Sequence, residues 1–289
     1  MKKKLPIFST AEGGKQYLAA YEAMFSLWQA PHDAIEVKTS YGSTHINASG
    51  PDDGYPLVLL HGAGLSSTVW FANIAELSAH HRVYAVDVIG DAGKSVANRL
   101  LDKRTDYAHW LREVFDGLKI ERCHLLGHSY GGWLTLNMAL AYPQRLHKIV
   151  LLAPAASFRP LSFITKLIFF LGEFKIHPPA KSMLKATAAK GAVLEETFIH
   201  LMEEVTRYCR SAIMYPTVFT DQELKQIDLP TLLLIGTAEK IYNPGKAIER
   251  AQKCMPHLRA EIIPNAGHLL IMDQPDIINA RILKFLTSD

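Results

Sequence analysis

The sequence predicts an α/β fold with a mostly parallel central sheet and helices on both faces. Several short apolar runs are continuous rather than alternating, as expected for strands that are buried on both faces. Helical stretches separate most of these runs, and strands that alternate with helices favour parallel pairing in one sheet. The runs are residues 57–60, 83–86, 123–126, 149–152, 231–235 and 260–263.

Ahead of the first run, the sequence predicts one helix followed by two short strands. The helix covers residues 9–28, although it contains Gly13 and Gly14 and each glycine costs about 1 kcal/mol relative to alanine in a helix. The strands cover residues 35–39 and 44–48, and a cluster of Gly, Pro and Asp after them marks a turn.

One gap between two predicted core strands is too long for a simple crossover. Residues 155–225 contain no run typical of a buried strand, are rich in helix formers and are broken at Pro178-Pro179 and Pro216. We interpret them as a helical cap inserted into a single domain that spans residues 1–289. Open α/β sheets bind ligands at the carboxyl ends of their strands, where such an insertion would lie.

The composition bounds the class of protein. With 48% hydrophobic and 20% charged residues in 289, the chain is long enough to bury a core without disulfides or metals. Lys and Arg total 31 against 28 Asp and Glu, and this small excess without a basic run argues against a nucleic-acid partner. The oligomeric state stays open.

Cysteine usage and hydropathy indicate a cytoplasmic setting. Cys123, Cys209 and Cys254 are scattered, and they match neither a disulfide framework nor the spacing of zinc ligands. The most apolar run, residues 161–171, contains a lysine and is shorter than the ~20 residues that span a bilayer, so we expect no stable membrane insertion. The first twelve residues lack the sustained apolar stretch of an export signal.

A nucleophile is predicted at Ser129, within Gly127-His128-Ser129-Tyr130-Gly131. This G-x-S-x-G pattern follows a predicted buried strand directly and precedes a predicted helix, which is the context that the motif requires. The turn is tight, so its flanking residues must be glycine, and it lifts the serine to the edge of the sheet. The alternative is an ordinary glycine-rich turn between a strand and a helix.

An oxyanion hole is predicted from two backbone amides. Acyl transfer turns a carbonyl oxygen into an anion, and losing one preorganised N–H donor to it typically costs ~3 kcal/mol. One donor is expected to be the amide of Tyr130, just after the nucleophile, and the other that of Ala63 in the loop His61–Gly64.

Two glycine-rich stretches near the predicted site approach the motifs of nucleotide-binding loops. Residues 62–67 approach the G-x-G-x-x-G of dinucleotide sites, with Asp87 as the ribose-binding acid, but Ser67 replaces the third glycine. Residues 90–95 approach a phosphate-binding loop, but Val88 replaces its first glycine. We therefore favour an anchoring role for Asp87 and expect no nucleotide cofactor.

The general base is predicted to be His268, one of thirteen histidines. It follows the last predicted strand and a turn, which places it at the carboxyl edge of the sheet, where an imidazole can take the serine proton. Glu239 follows the preceding strand and is the predicted acid that orients the imidazole, with Asp273 as the second choice. His61 and His128 flank the site in sequence and are expected to be structural.

These residues resemble those of α/β-hydrolase-fold carboxylesterases, and more narrowly those of bacterial carboxylesterases of the naproxen-esterase type. The resemblance covers most of the chain and is weak over residues 155–212. It implies the α/β-hydrolase fold, the chain order nucleophile, acid, base, and hydrolysis of carboxylic esters with no metal or organic cofactor. Glu239 departs from the aspartate usual in the superfamily, although similar esterases carry glutamate there. The matching stretches are residues 26–28, 56–63, 66–70, 84–91, 104–108, 218–221, 241–242 and 265–268.

The substrate is expected to be a small, largely apolar ester, bound by Trp70, Phe158, Phe163 and Leu167. An apolar cap favours an apolar acyl or alcohol group, although any one such residue has an equal chance of packing the cap onto the core. Acyl transfer, carbon–carbon bond hydrolysis, perhydrolysis and a ligand-binding receptor with little turnover stay open as alternatives, because the fold does not decide among them. Other apolar cap residues are Leu161, Ile164, Phe169, Phe170, Phe198 and Met202.

Overall fold

The computed structural model describes residues 7–163, 165–167 and 178–288, which contain a nine-stranded sheet. Its strands are β1 (Asp33–Thr39), β2 (Gly42–Ser49), β3 (Pro56–Leu60), β4 (Arg82–Val86), β5 (Val96–Ala97), β6 (Cys123–His128), β7 (Leu146–Leu152), β8 (Thr231–Gly236) and β9 (Leu258–Ile263). They are ordered β1-β2-β4-β3-β6-β7-β8-β9, with β5 paired to β2. All pairs from β4 to β9 along this order are parallel, and the pairs that involve β2 are antiparallel. The predicted α/β class is confirmed.

Helices cover both faces of the sheet. Strand β3 shows why, because Leu57 and Leu59 lie in one apolar layer while Val58 and Leu60 lie in the other, and all four are fully buried. A strand buried on both faces has no polar alternation, which is the pattern that the sequence carries. The helices are α1 (Ala11–Ala23), α2 (Ile74–Ser78), α3 (Arg104–Gly117), α4 (Tyr130–Ala141), α5 (Ala180–Thr187), α6 (Glu196–Tyr208), α7 (Asp221–Lys225), α8 (Pro244–Cys254), α9 (Leu270–Asp273) and α10 (Pro275–Thr287).

The predicted amino-terminal helix forms with its two glycines inside it. Thr10 caps α1 by accepting a hydrogen bond from the Gly13 amide. A Cβ at Gly13 would lie 2.3 Å from the ring of Tyr208, at the end of α6. The glycine therefore lets α6 pack closely against α1. This contact explains why a residue that disfavours helices stands inside α1.

Substituting alanine for Gly13 is expected to destabilise the protein by roughly 1–2 kcal/mol, because overpacking the contact with Tyr208 outweighs the gain in helix propensity. Gly245 in α8 is the matched control, since the nearest atom to its added Cβ is 3.7 Å away. Gly245→Ala should be neutral or stabilise the fold by up to ~1 kcal/mol. Urea unfolding of both variants checks this, and equal shifts in their midpoints would contradict it.

The long segment between β7 and β8 is partly helical where the structure describes it. It contains α5, α6 and α7, while residues 209–220 cross the carboxyl edge of the sheet without regular secondary structure. Residues 163 and 165–167 are also helical. Within the described part of the chain, no helix has the length and apolar character needed to cross a membrane.

A cluster of rings lies at the amino ends of the strands, on the edge opposite to Ser129. His124, on β6, stacks on His147 with ring centroids 5.0 Å apart, and it is contacted by Tyr55 and His81, the residues just before β3 and β4. Burial, with help from the neighbouring histidines, lowers the pKa of His124 to about 3. The imidazole is therefore neutral in the folded protein at physiological pH.

Candidate active site

The nucleophile turn, residues 127–131, is as tight as the motif requires. Ser129 stands between β6 and α4 with φ of 53°, in the left-handed region that few residues other than glycine adopt. A Cβ at Gly127 would lie 2.2 Å from the backbone of Gly131, and one at Gly131 would lie 2.1 Å from the carbonyl of Leu60. Both flanking positions therefore admit only glycine.

Ser129, His268 and Glu239 form one hydrogen-bonded chain. The Ser129 hydroxyl lies 2.8 Å from His268 Nε2, and His268 Nδ1 lies 2.7 Å from Glu239 Oε2. Because a carboxylate only accepts, Nδ1 carries the proton and Nε2 is free to accept from the serine. The second oxygen of Glu239 accepts from the Ile241 amide at 2.8 Å. This arrangement can activate a hydroxyl as a nucleophile.

The loop that carries His268 is tied to both the sheet and the cap. Its amide donates to the carbonyl of Thr187, at the end of α5, at 2.7 Å, and its carbonyl accepts from His128 Nε2 at 2.8 Å. His128 therefore holds the backbone of the histidine loop, the structural task expected for it. Burial lowers the pKa of His128 to about 3, so this ring is neutral.

Acidification is expected to destabilise the protein through His124 and His128. Both have pKa values of about 3 in the folded state, against ~6.5 for an unfolded histidine. Below pH 6.5 the unfolded state binds more protons, so each ring removes about 1.4 kcal/mol of stability per pH unit down to about pH 3. Urea unfolding at pH values from 7 to 4 measures the slope.

A His124→Gln variant isolates this contribution, because the carboxylates that also titrate are common to both proteins. Its free energy of unfolding should fall less steeply than that of the wild type below pH 6, by about 1.4 kcal/mol per pH unit. Parallel curves would show that His124 is protonated in the folded state.

Asp273, the second choice for the acid, lies elsewhere in the hydrogen-bond network. One of its carboxylate oxygens accepts from the amides of Gly267, at 2.8 Å, and Ala189, at 2.9 Å. It joins the histidine loop to the segment that carries Ala189, and it is the last residue of α9. The carboxylate that contacts the imidazole is that of Glu239.

Ala63 and Tyr130 line the same cavity as Ser129. Within the described residues, neither amide donates to a protein acceptor. Gly62 lets this loop approach the serine, because a Cβ there would lie 3.1 Å from that of Ser129. His61 braces the loop through its ring, which accepts from the Val88 amide at 2.9 Å and donates to the Gly62 carbonyl at 2.8 Å.

Asp87 is an anchor for two loops. Its buried carboxylate accepts from the amides of Ser67 and Lys94, both at 2.8 Å, and from the Tyr21 hydroxyl at 3.1 Å. These protein donors occupy the acid that a dinucleotide site would use for a ribose. Asp87 thus links the loop after β3 to the loop after β4. Within the described ranges, no group of three or more potential metal ligands occurs.

The cavity beside Ser129 has a volume of about 100 Å³ and an apolar lining. Sequence reasoning placed Leu161 in the apolar cap but missed most of the wall, because residues 213–216 have no secondary-structure pattern. The features of the sequence that could have pointed to this wall are Pro216, which breaks the helical segment, and the pair Ile241-Tyr242. The lining residues are Ala63, Ser129, Tyr130, Ala155, Leu161, Ile213, Met214, Tyr215, Pro216 and Ile241.

The four predicted substrate-binding side chains do not line this cavity. Trp70 and Phe158 are buried in the two core layers, at 0% and 1% exposure. Phe163 and Leu167 are exposed, at 78% and 42%. An apolar residue in such a segment packs against the core or faces outward as readily as it faces a ligand. Ile164, Phe169 and Phe170 lie outside the described residues.

The chain belongs to the alpha/beta hydrolase family, whose model matches residues 57–281. An uncharacterized carboxylesterase nap of Bacillus subtilis (strain 168) is 38% identical and covers 96% of this chain and 95% of its own. Carboxylesterase YbfK of the same strain is also 38% identical and covers 96% of each chain. The crystal structure of naproxen esterase (carboxylesterase NP) from Bacillus subtilis, at 38% identity, superposes with a TM-score of 0.91 over 96% of this chain and 100% of that one.

Proposed function

We propose that this protein is a serine carboxylesterase that hydrolyses small, largely apolar esters. The observation that carries the proposal is the hydrogen-bonded chain from Ser129 through His268 to Glu239, which ends at an apolar cavity that Ala63 and Tyr130 also line. The names of the two Bacillus relatives support the same chemistry. In this proposal, residues 155–225 form the cap over the site and belong to a single domain. The protein is expected to act in the cytoplasm.

The reaction proceeds in two halves through an acyl-enzyme. His268 Nε2 takes the proton of Ser129 as its oxygen attacks the ester carbonyl, and Glu239 stabilises the imidazolium that forms. The Ala63 and Tyr130 amides donate to the oxyanion. His268 then protonates the leaving alcohol, and water attacks the acyl-serine by the same route to release the carboxylic acid.

The cavity favours short acyl groups. Its volume of about 100 Å³ is below the ~150 Å³ of an apolar cavity that holds benzene. Each methylene that fits adds about 0.8 kcal/mol of transfer free energy, and one that does not fit forces side chains apart. Acyl chains should gain from added length only while the apolar wall accommodates them.

A series of p-nitrophenyl esters from acetate to decanoate tests the proposal. We expect kcat/KM to be highest for acyl chains of about two to four carbons and to fall beyond them. Mass spectrometry of the quenched enzyme should show the acyl group on the peptide that contains Ser129. A folded wild type that hydrolyses none of these esters would overturn the proposal in favour of another triad reaction or a ligand-binding role.

A further inference from the structure

The carboxylate of Asp91 lies buried between the loop of residues 61–64, called here the oxyanion loop, and the wall of the cavity. It is 0% exposed. One oxygen accepts from the Gly64 amide at 2.9 Å. The other accepts from the Ala92 amide at 2.8 Å and from the Ser211 hydroxyl. A single side chain thus bonds both the oxyanion loop and the wall of the cavity.

Three donors explain how this carboxylate tolerates burial. Burial raises the pKa of Asp91, whereas the bonds from Ser211, Ala92 and Gly64 favour its charged form. A buried carboxylate that needs three donors is costly if one is lost. The geometry of these donors is therefore fixed with respect to one another.

The wall, residues 211–217, depends on such contacts because it has no regular secondary structure. The Ala212 amide donates to the Gly90 carbonyl at 2.7 Å. The Met214 amide donates to the Tyr107 hydroxyl at 2.9 Å. Four residues of this wall line the cavity, Ile213, Met214, Tyr215 and Pro216.

The oxyanion loop is tied to the same stretch of chain after β4. Val88 donates to the ring of His61 on one side of Ala63, and Asp91 accepts from Gly64 on the other. Holding the Gly64 amide fixes the plane of the Ala63–Gly64 peptide, since that amide and the Ala63 carbonyl share it. The Ala63 N–H lies in the preceding peptide, whose Gly62 carbonyl accepts from His61 Nδ1 at 2.8 Å, so His61 and Asp91 hold the peptides on either side of the Ala63 Cα.

We propose that Asp91 is a positioning residue that fixes the loop of the Ala63 oxyanion donor and the wall of the cavity relative to each other. The inference builds on the proposed function, because it assigns how the same site is held together. Asp91 does not touch the substrate. It acts through Gly64 on the oxyanion and through Ser211 on the acyl group.

Asp91→Asn is the sharpest test, because an amide side chain has one oxygen where the site needs two acceptors. In either orientation its NH₂ faces a backbone amide, that of Gly64 or that of Ala92. With p-nitrophenyl acetate we expect kcat per titrated active site to fall roughly 10- to 100-fold, with KM within about threefold of wild type. The Ki of an alkyl trifluoromethyl ketone, whose adduct carries an oxyanion, should rise by a similar factor.

Ser211→Ala is the matched variant, because it removes only the bond to the wall. It should change the ratio of kcat/KM between the butyrate and acetate esters, a ratio that a loss confined to the oxyanion donor would leave unchanged. If Asp91→Asn does not accumulate in folded form, Asp91→Ser removes the clash of donors and is expected to give the same loss.

The rate at which a fluorophosphonate labels Ser129 separates this inference from the proposed function. That reaction uses the same oxyanion donors whether or not esters are the natural substrates. We expect labelling of Asp91→Asn to be at least about tenfold slower than that of wild type. Labelling and kcat per titrated site within threefold of wild type, in a folded variant, would overturn the role of Asp91 alone. Inactivity of the wild type toward esters would overturn only the proposed function.

Discussion

Replacing Ser129 with alanine is expected to lower ester turnover by roughly 10⁶-fold, since no other group could form the acyl-enzyme. The hydroxyl lies 2.8 Å from His268 Nε2, so its removal deletes the nucleophile and leaves the base without a proton to accept. Residual catalysis would come from the oxyanion amides acting on water. The measurement is kcat with p-nitrophenyl acetate, in enzyme purified free of wild type.

The fold of this variant should be unchanged, because alanine meets the same backbone strain that serine already bears at φ of 53°. Its unfolding midpoint should match that of wild type within error. Ser26→Ala, at an exposed serine, serves as the control and should keep full activity. Turnover near that of wild type in Ser129→Ala would place the nucleophile elsewhere.

Replacing Glu239 with glutamine is expected to lower kcat by roughly 10⁴-fold, through the orientation and tautomer of His268. The two oxygens of Glu239 accept from His268 Nδ1 and from the Ile241 amide. Glutamine offers one oxygen, so its NH₂ must face one of these donors. It also removes the charge that stabilises the imidazolium. The readout is kcat with the acetate ester.

Asp273→Asn is the matched comparison, because this half-buried acid also lies beside the histidine loop. Its carboxylate contacts the amides of Gly267 and Ala189 rather than the imidazole. We expect a loss of about tenfold or less, from looser positioning of the loop. If Asp273→Asn were the crippled variant and Glu239→Gln retained activity, Asp273 would be the acid.

The elements around the nucleophile could be predicted because their signals are local. A strand, two glycines and a helix leave one conformation for Ser129. Positions 127 and 131 must be glycine because a Cβ at either one would lie within 3 Å of backbone atoms. The position of Glu239 after β8 follows in the same way from the edge to which parallel strands deliver their carboxyl ends.

The cavity could not be predicted, because its wall is built from irregular chain. Residues 211–217 take their position from distant partners such as Tyr107 and Asp91, and no sequence period encodes those contacts. Hydrophobicity likewise placed Trp70 and Phe158 in the site, although both are in the core. Apolar character reports burial but not which cavity a side chain faces.

The bond between the cap and His268 limits how caps can be exchanged between related enzymes. Thr187 accepts from the amide of His268, and Ala189 donates to Asp273 beneath it. A chimera that replaced the whole insertion would therefore alter the base along with the substrate wall. Grafts confined to residues 209–220 would leave this bond intact, so the lining of the cavity could be redesigned there without rebuilding the loop that carries His268.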